Sequence, residues 1–340
     1  MPTSPQSCPE SIRTWFTGAV ARDRTPGVQY VAVNAAGEVV SCALGTADLA
    51  VGRPMTADTT LMAYSMSKTI TAIAVLQLAE RGLVSLDASV TTYVPDAPYG
   101  PGVTVRQLIA HTGGLSNPIP LRWVHPADAH AGFDERAALA SVLGANSRLA
   151  DEPGSRYRYS NIGYWLLGAV VERVTEGSFG AYVERHVIAP LGLTPSDLGY
   201  TIPRREQHAA GYLERWSPAN LFGRWLIDTH LLGAYHGRWR RIGDHYPNGP
   251  AFGGLVGTAA AFGRLLQDQL RPHSALLGNA ARGWLYESQH TRTGATVPMT
   301  LGWHVGTLQD TRTFYKEGGG GGFHCLMRLY PSREIGRAHV

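Results

Sequence analysis

The order of apolar and polar positions divides the chain into an opening, a long middle and a close. In residues 9–24, Ile12, Trp15, Phe16 and Val20 fall at spacings that give a helix one apolar face. Two strand-like runs follow at 27–33 and 38–44, split by the turn-prone Asn34-Ala35-Ala36-Gly37. A helix and then a hairpin are predicted there. From about 61 to 254 helical periodicity dominates. Residues 67–81 carry Ile70, Ile73, Ala74, Leu76 and Leu78 and stop at Gly82. Residues 105–111, 135–143, 162–174 and 179–187 are further amphipathic candidates, separated by stretches rich in Pro, Gly and Asn at 118–134 and 244–254. Thr258 reads as the N-cap of a helix reaching about Leu270. Strand signals return at 301–305, 312–315 and 323–330.

Strands at both ends with helices between them predict an α+β fold: an antiparallel sheet flanked by helices, built from both chain ends, with a mainly helical inserted domain. The sheet domain takes residues 1–60 and 255–340 and the helical domain 61–254. A length of 340 residues suits one large domain or two.

Composition narrows the function. Only 16% of residues are charged, which excludes a charge-driven disordered chain. The net charge is +4, but the basic residues are dispersed, and the densest cluster, Arg238, Arg240 and Arg241, reads as a solvated loop. No nucleic-acid partner is expected. Residues 1–10 are polar and do not form a signal peptide, and no window reaches the roughly 18 apolar residues of a membrane span. Cys8, Cys42 and Cys325 show no zinc spacing or disulfide framework, which fits a reducing compartment. A cytoplasmic monomer, without a membrane partner, is expected. The 13 histidines show no H-x-x-x-H or H-x-E spacing, so no metal site and no cofactor are expected.

Lysine usage points to chemistry. Of 30 basic residues, only Lys68 and Lys316 are lysine. Coding bias explains such scarcity, and so does a need for an amine that can lose its proton, which arginine cannot. Lys68 ends Ser65-Met66-Ser67-Lys68, a hydroxyl three residues before an amine at the start of a helical pattern. Positions i and i+3 share a helix face, and a neutral lysine can activate a serine. Neutrality at pH 7 requires lowering the amine pKa by roughly three units, about 4 kcal/mol, through burial or a second cation. Tyr159-Ser160-Asn161 follows a turn and precedes a helix; its tyrosine can pass a proton and its amide can hold a carbonyl. Lys316-Glu317-Gly318 opens onto Gly319–Gly322, where a substrate can approach closely and N–H groups can bind an oxyanion. A flexible hairpin turn is the bland reading. His304-Val305-Gly306 rivals it but lacks the glycine run.

In this order the three elements resemble the serine β-lactamase and penicillin-binding-protein superfamily, most of all its class C and family VIII esterase branch. The stretch Leu108-Ile109-Ala110-His111-Thr112-Gly113-Gly114-Leu115 resembles that family's Leu-Leu-x-His-Thr-Ser-Gly-Leu, and Gly254–Thr258 and Leu301-Gly302-Trp303 match further family words. The resemblance implies a β-lactamase/transpeptidase-like fold and a nucleophilic Ser65 that forms an acyl-enzyme. It implies that Lys68 and Tyr159 share the serine proton, that Asn161, Lys316 and Gly318 bind substrate, and that the N–H groups of Ser65 and Gly319 form the oxyanion hole. Glu317 stands where the family has a small hydroxyl residue, so a carboxylate there is expected to neutralise Lys316 and repel acidic substrates. A small ester, amide or lactam substrate is implied. Ester or amide hydrolysis is favoured over β-lactamase or D-Ala-D-Ala carboxypeptidase activity, and a non-catalytic binder of the same fold is the third reading.

No G-x-S-x-G elbow is present. Trp123, Trp216, Trp225 and Trp239 are candidates for an acyl pocket or for packing, and His324-Cys325 alternates on a strand, against a Cys–His nucleophile. The end of the chain is unusual. Residues 335–340, Ile-Gly-Arg-Ala-His-Val, back-translate to a common sequencing-adapter string, whereas the family continues with an apolar strand and a helix. A native tail lost to adapter read-through is therefore expected, leaving a sheet edge and an apolar helix face uncovered; a natural short form is the alternative.

Overall fold

The computed structural model describes residues 6–118, 122–221 and 228–340. Its main element is an eight-stranded sheet drawn from both parts of the sequence: β1 (Gln6–Ser7), β2 (Gly27–Val33), β3 (Glu38–Asp48), β4 (Arg53–Pro54), β5 (His304–Leu308), β6 (Thr311–Gly320), β7 (Phe323–Tyr330) and β8 (Ile335–His339). The order is β1-β3-β2-β8-β7-β6-β5, with β4 on β3, and every pairing is antiparallel except β1 with β3. Helix α1 (Glu10–Ala21) lies against β3, and α4 (Ala259–Leu270), capped by the Thr258 side chain, packs on β2 and β8.

Between the two sets of strands, α2 (Ser67–Glu80) and α3 (Asn161–Thr175) pack on each other and on the short helix Pro250–Gly253. Helix α2 has apolar residues around its whole circumference. It is buried from Ser67 to Leu76 because neighbours surround it, as expected for an all-round apolar helix. The nucleophile candidate therefore sits at the mouth of the most deeply enclosed helix. This middle section also carries small sheets, among them the three-stranded Gly211–Glu214, Trp239–Ile242 and Leu232–His236.

Several expectations need correction. Cys8 and Cys42 form a disulfide. Their separation in sequence hides this, but β1 aligns Ser7 with Ser41, which sets Cys8 beside Cys42 at a Cα–Cα distance of 5.0 Å. Disulfides belong to oxidising surroundings, so cysteine usage no longer supports a reducing compartment. Cys325 is the free, buried thiol. Residues 335–339 do not leave a sheet edge open there, since β8 pairs with β7 on one side and β2 on the other. On α1, Trp15 is 67% exposed and borders a cavity of about 920 Å³ shared with Phe16, Tyr30, Met55 and Trp239. Arg240 and Arg241 lie on a strand rather than a solvated loop, with Arg238 leading into it; Arg238 pairs with Glu214 and Arg241 with Asp48. The strand expected at 301–305 begins at His304, because Leu301 and Trp303 are apolar for core burial rather than for strand pairing. Trp225 lies outside the described residues. Among the described residues, no helix is long and apolar enough to cross a membrane.

Candidate active site

Ser65 lies in a single 3₁₀ turn, Tyr64–Met66, that leads directly into α2. Ser67 fixes this turn: its hydroxyl donates to the Tyr64 carbonyl (2.6 Å) and accepts from the Leu255 N–H (3.1 Å). Lys68, one helical step on, is fully buried among the rings of Tyr159, Tyr164 and Phe252. Its Nζ reaches Ser65 Oγ (2.9 Å), Asn161 Oδ1 (2.8 Å) and the Phe252 carbonyl (2.6 Å). Burial, and then the field of Lys316, hold the Lys68 amine well below its ordinary pKa of 10.5. A neutral amine has two N–H bonds and one lone pair. Asn161 Oδ1 and the Phe252 carbonyl can only accept, so in the neutral form they take both N–H bonds and the lone pair faces Ser65 Oγ, whereas the protonated amine donates to Ser65 Oγ as well.

Tyr159 comes from the loop before α3, and its phenol donates to Ser65 Oγ (2.8 Å). Burial raises its pKa, outweighing the lowering effect of the bond to Ser65, so it stays protonated at neutral pH. His111 packs against its ring, with centroids 4.4 Å apart, and accepts the Ser160 N–H at Nδ1. Asn161, the first residue of α3, uses its N–H and its side-chain amide on Asn117 Oδ1. The amide that could orient a substrate is thus turned toward Lys68 and Asn117.

Lys316 enters from β6. It is fully buried, and its Nζ has no hydrogen-bond partner among the described residues while lying 5.8 Å from the Tyr159 ring centroid and 5.6 Å from that of Tyr164. Burial lowers its pKa to about 7. Alternation along β6 puts Lys316 and Gly318 on one face and the exposed Glu317 on the other. The expected neutralisation of Lys316 by Glu317 is therefore absent. A Cβ at Gly318 would stand 3.0 Å from the Ser65 nitrogen and 2.2 Å from the Ala63 oxygen, so the β6 backbone runs hard against the Ser65 turn. His304, at the start of β5, hydrogen-bonds Tyr157 (3.2 Å) and flanks Tyr159. Its pKa is lowered to about 3 by burial and then by Lys316 and Lys68. It does not stand in the place of Lys316.

The chain thus brings Ser65, Lys68, Tyr159, Asn161, Lys316 and Gly318 to one locus, with Gly319 next on the same strand. Sequence reasoning missed the Phe252 carbonyl and Asn117. A backbone oxygen has no residue signature, and Asn117 lies between the Leu108–Leu115 stretch and the loop at 118–134, outside every motif read there. Cys325 donates to the Ala63 carbonyl, buried, and takes no nucleophilic place. Trp123 packs on Trp165 and Phe252 behind Lys68, whereas Trp216 is exposed and Trp239 lies in the small sheet.

The profile of the Beta-lactamase family matches residues 12–340. Among characterised proteins, Esterase EstB of Burkholderia gladioli is 36% identical over 183 residues, half of this chain and 46% of that protein. Penicillin-binding protein 4* of Bacillus subtilis (strain 168) is 27% identical over 173 residues, half of this chain and 38% of that protein. The matches thus span less than half the length of these curated relatives. The same fold appears in the D-amino acid amidase from Ochrobactrum anthropi SV3, with a TM-score of 0.80, 20% identity, and 97% of this chain and 90% of that one covered.

Proposed function

We propose that this chain, which belongs to the Beta-lactamase family, is a serine hydrolase that cleaves ester or amide bonds of small acyl substrates through an acyl-enzyme on Ser65. The observation that carries this is the Lys68 coordination: Nζ lies 2.9 Å from Ser65 Oγ, and its other two partners, Asn161 Oδ1 and the Phe252 carbonyl, can only accept, so an amine that has lost its proton turns its lone pair to Ser65. In the forward step Ser65 Oγ attacks the substrate carbonyl carbon while its proton passes to Lys68. The N–H groups of Ser65 and Gly319 receive the developing oxyanion. Tyr159, kept protonated by burial, supplies the proton that the leaving alkoxide or amine takes, as the C–O or C–N bond breaks. Lys68 then returns its proton toward Tyr159, and the free amine activates the water that hydrolyses the ester on Ser65. Lys316 supplies positive potential and helps keep Lys68 uncharged.

Esterase or amidase activity is favoured over lactam or D-peptide carboxylate recognition. The partial likeness to an esterase supports this. A fluorophosphonate probe with intact-mass detection tests the reading: one adduct on the wild type and none on Ser65→Ala is expected, and an unlabelled folded wild type refutes it in favour of a binding protein. Turnover of p-nitrophenyl butyrate exceeding that of nitrocefin is the expected order, and the reverse order would assign the β-lactamase activity.

A further inference from the structure

The five-glycine run and the residue before the nucleophile meet in a contact that the chemistry above does not use. Tyr64 holds a positive φ of 43°, a conformation that non-glycine residues rarely adopt. Its ring is buried against β6. A Cβ at Gly320 would lie 2.6 Å from a Tyr64 ring carbon, and one at Gly321 would lie 2.1 Å from the phenol oxygen. Those two positions must be glycine because the tyrosine fills the space.

The phenol is anchored from a third, distant segment. Tyr64 Oη lies 2.7 Å from His245 Nε2, and His245 Nδ1 lies 2.8 Å from the Gly243 carbonyl. A carbonyl only accepts, so Nδ1 carries the proton and Nε2 accepts the Tyr64 O–H. His245 belongs to the short strand His245–Pro247, which pairs with Val124–Pro126. The nucleophile turn, the end of β6 and this strand are therefore clamped through one side chain.

We propose that Tyr64 and His245 are positioning residues, a brace that holds the Ser65 turn against Gly318–Gly321 and so sets the separation of the two oxyanion-binding N–H groups. This rests on the serine-hydrolase reading and deepens it. The brace acts through the backbone of Ser65 and β6 and touches no reacting atom. Its effect belongs to the transition state, where negative charge reaches the carbonyl oxygen, more than to ground-state binding.

The test uses the full chain. Tyr64→Phe keeps the ring and deletes the hydrogen bond, and His245→Ala deletes the same bond from the other side. Each is expected to lower kcat about tenfold with KM within about twofold, as for a loosened oxyanion site. Affinity for a boronic acid transition-state mimic is expected to fall by the same factor as kcat. The double variant is expected to lose no more than the worse single, since both remove one interaction. A Tyr64→Phe enzyme with kcat within about twofold of wild type, additive losses, or a lowered melting temperature with kinetics unchanged would each overturn the brace. Tyr64→Gly relieves the backbone but removes the brace, so a kcat at or above wild type would overturn it as well. Wild-type labelling at Ser65 keeps the two readings apart. Its absence defeats the serine-hydrolase reading, whereas labelling with an unaffected Tyr64→Phe defeats only the brace.

Discussion

Replacing Lys316 with methionine should make the protein more stable and less active. The Lys316 amine is fully buried without a hydrogen-bond partner among the described residues, and burial takes its pKa from 10.5 to about 7. The unfolded chain binds this proton up to pH 10.5, while the folded chain releases it near 7. Between those limits the unfolded state holds more protons, so folding stability rises with pH across the window and is lowest at and below pH 7. One proton contributes a slope of up to about 1.4 kcal/mol per pH unit, hence a ceiling of about 5 kcal/mol from pH 7 to 10.5. Lys68, shifted in the same direction, adds to the slope. Tyr64, Tyr159, Tyr164 and Tyr286 are raised above their ordinary value and act oppositely once the unfolded chain loses its phenol protons, so stability should peak near pH 9 to 10. Methionine has a similar unbranched volume and no amine to desolvate. With local relaxation allowed for, Lys316→Met should gain about 2–5 kcal/mol at pH 7 and flatten the slope by about one proton. Urea denaturation of both proteins at pH 7, 8 and 9 measures this. Equal stability at pH 7, or identical slopes, would refute the reasoning.

Two further outcomes follow from the same geometry. Tyr159→Phe removes the O–H bonded to Ser65 and should lower kcat by about 10²- to 10⁴-fold. The acid limb of its pH–rate profile should survive, because Lys68 sets it; disappearance of that limb would make Tyr159 the base instead. Cys8→Ser opens a loop with a sequence separation of 34, which should cost about 3–4 kcal/mol by loop entropy. Melting of the wild type with and without reductant checks this: reduced wild type should match the variant, and an unchanged melting temperature would count against it.

What could be read in the sequence was local. The Ser65–Lys68 pair lies one helical turn apart, so spacing alone places both groups together. Residues 323–330 form the expected strand with the expected bounds, since an apolar run bounded by turn residues is enough to mark it. Long-range arrangements were not legible. Tyr64 carries no motif of its own, and only the fold shows that Gly320 and Gly321 are shaped around it, with His245 closing the clamp. Residues 179–187 read as one amphipathic helix. The structure instead gives Phe179–Val183, then a wider π turn at Glu184–Ile188, a change of winding that apolar spacing does not encode. The disulfide was hidden for the same reason, since it depends on a two-residue strand joining the sheet.

Burial of both lysines has a practical consequence for labelling. With 28 arginines carrying the remaining basic charge, no side-chain ammonium faces solvent anywhere on this molecule. Activated esters and other amine-seeking reagents will find no lysine side chain on its exterior. A lysine adduct formed on the native protein under gentle conditions would then report on one location only, the interior from which its reactivity is expected to arise.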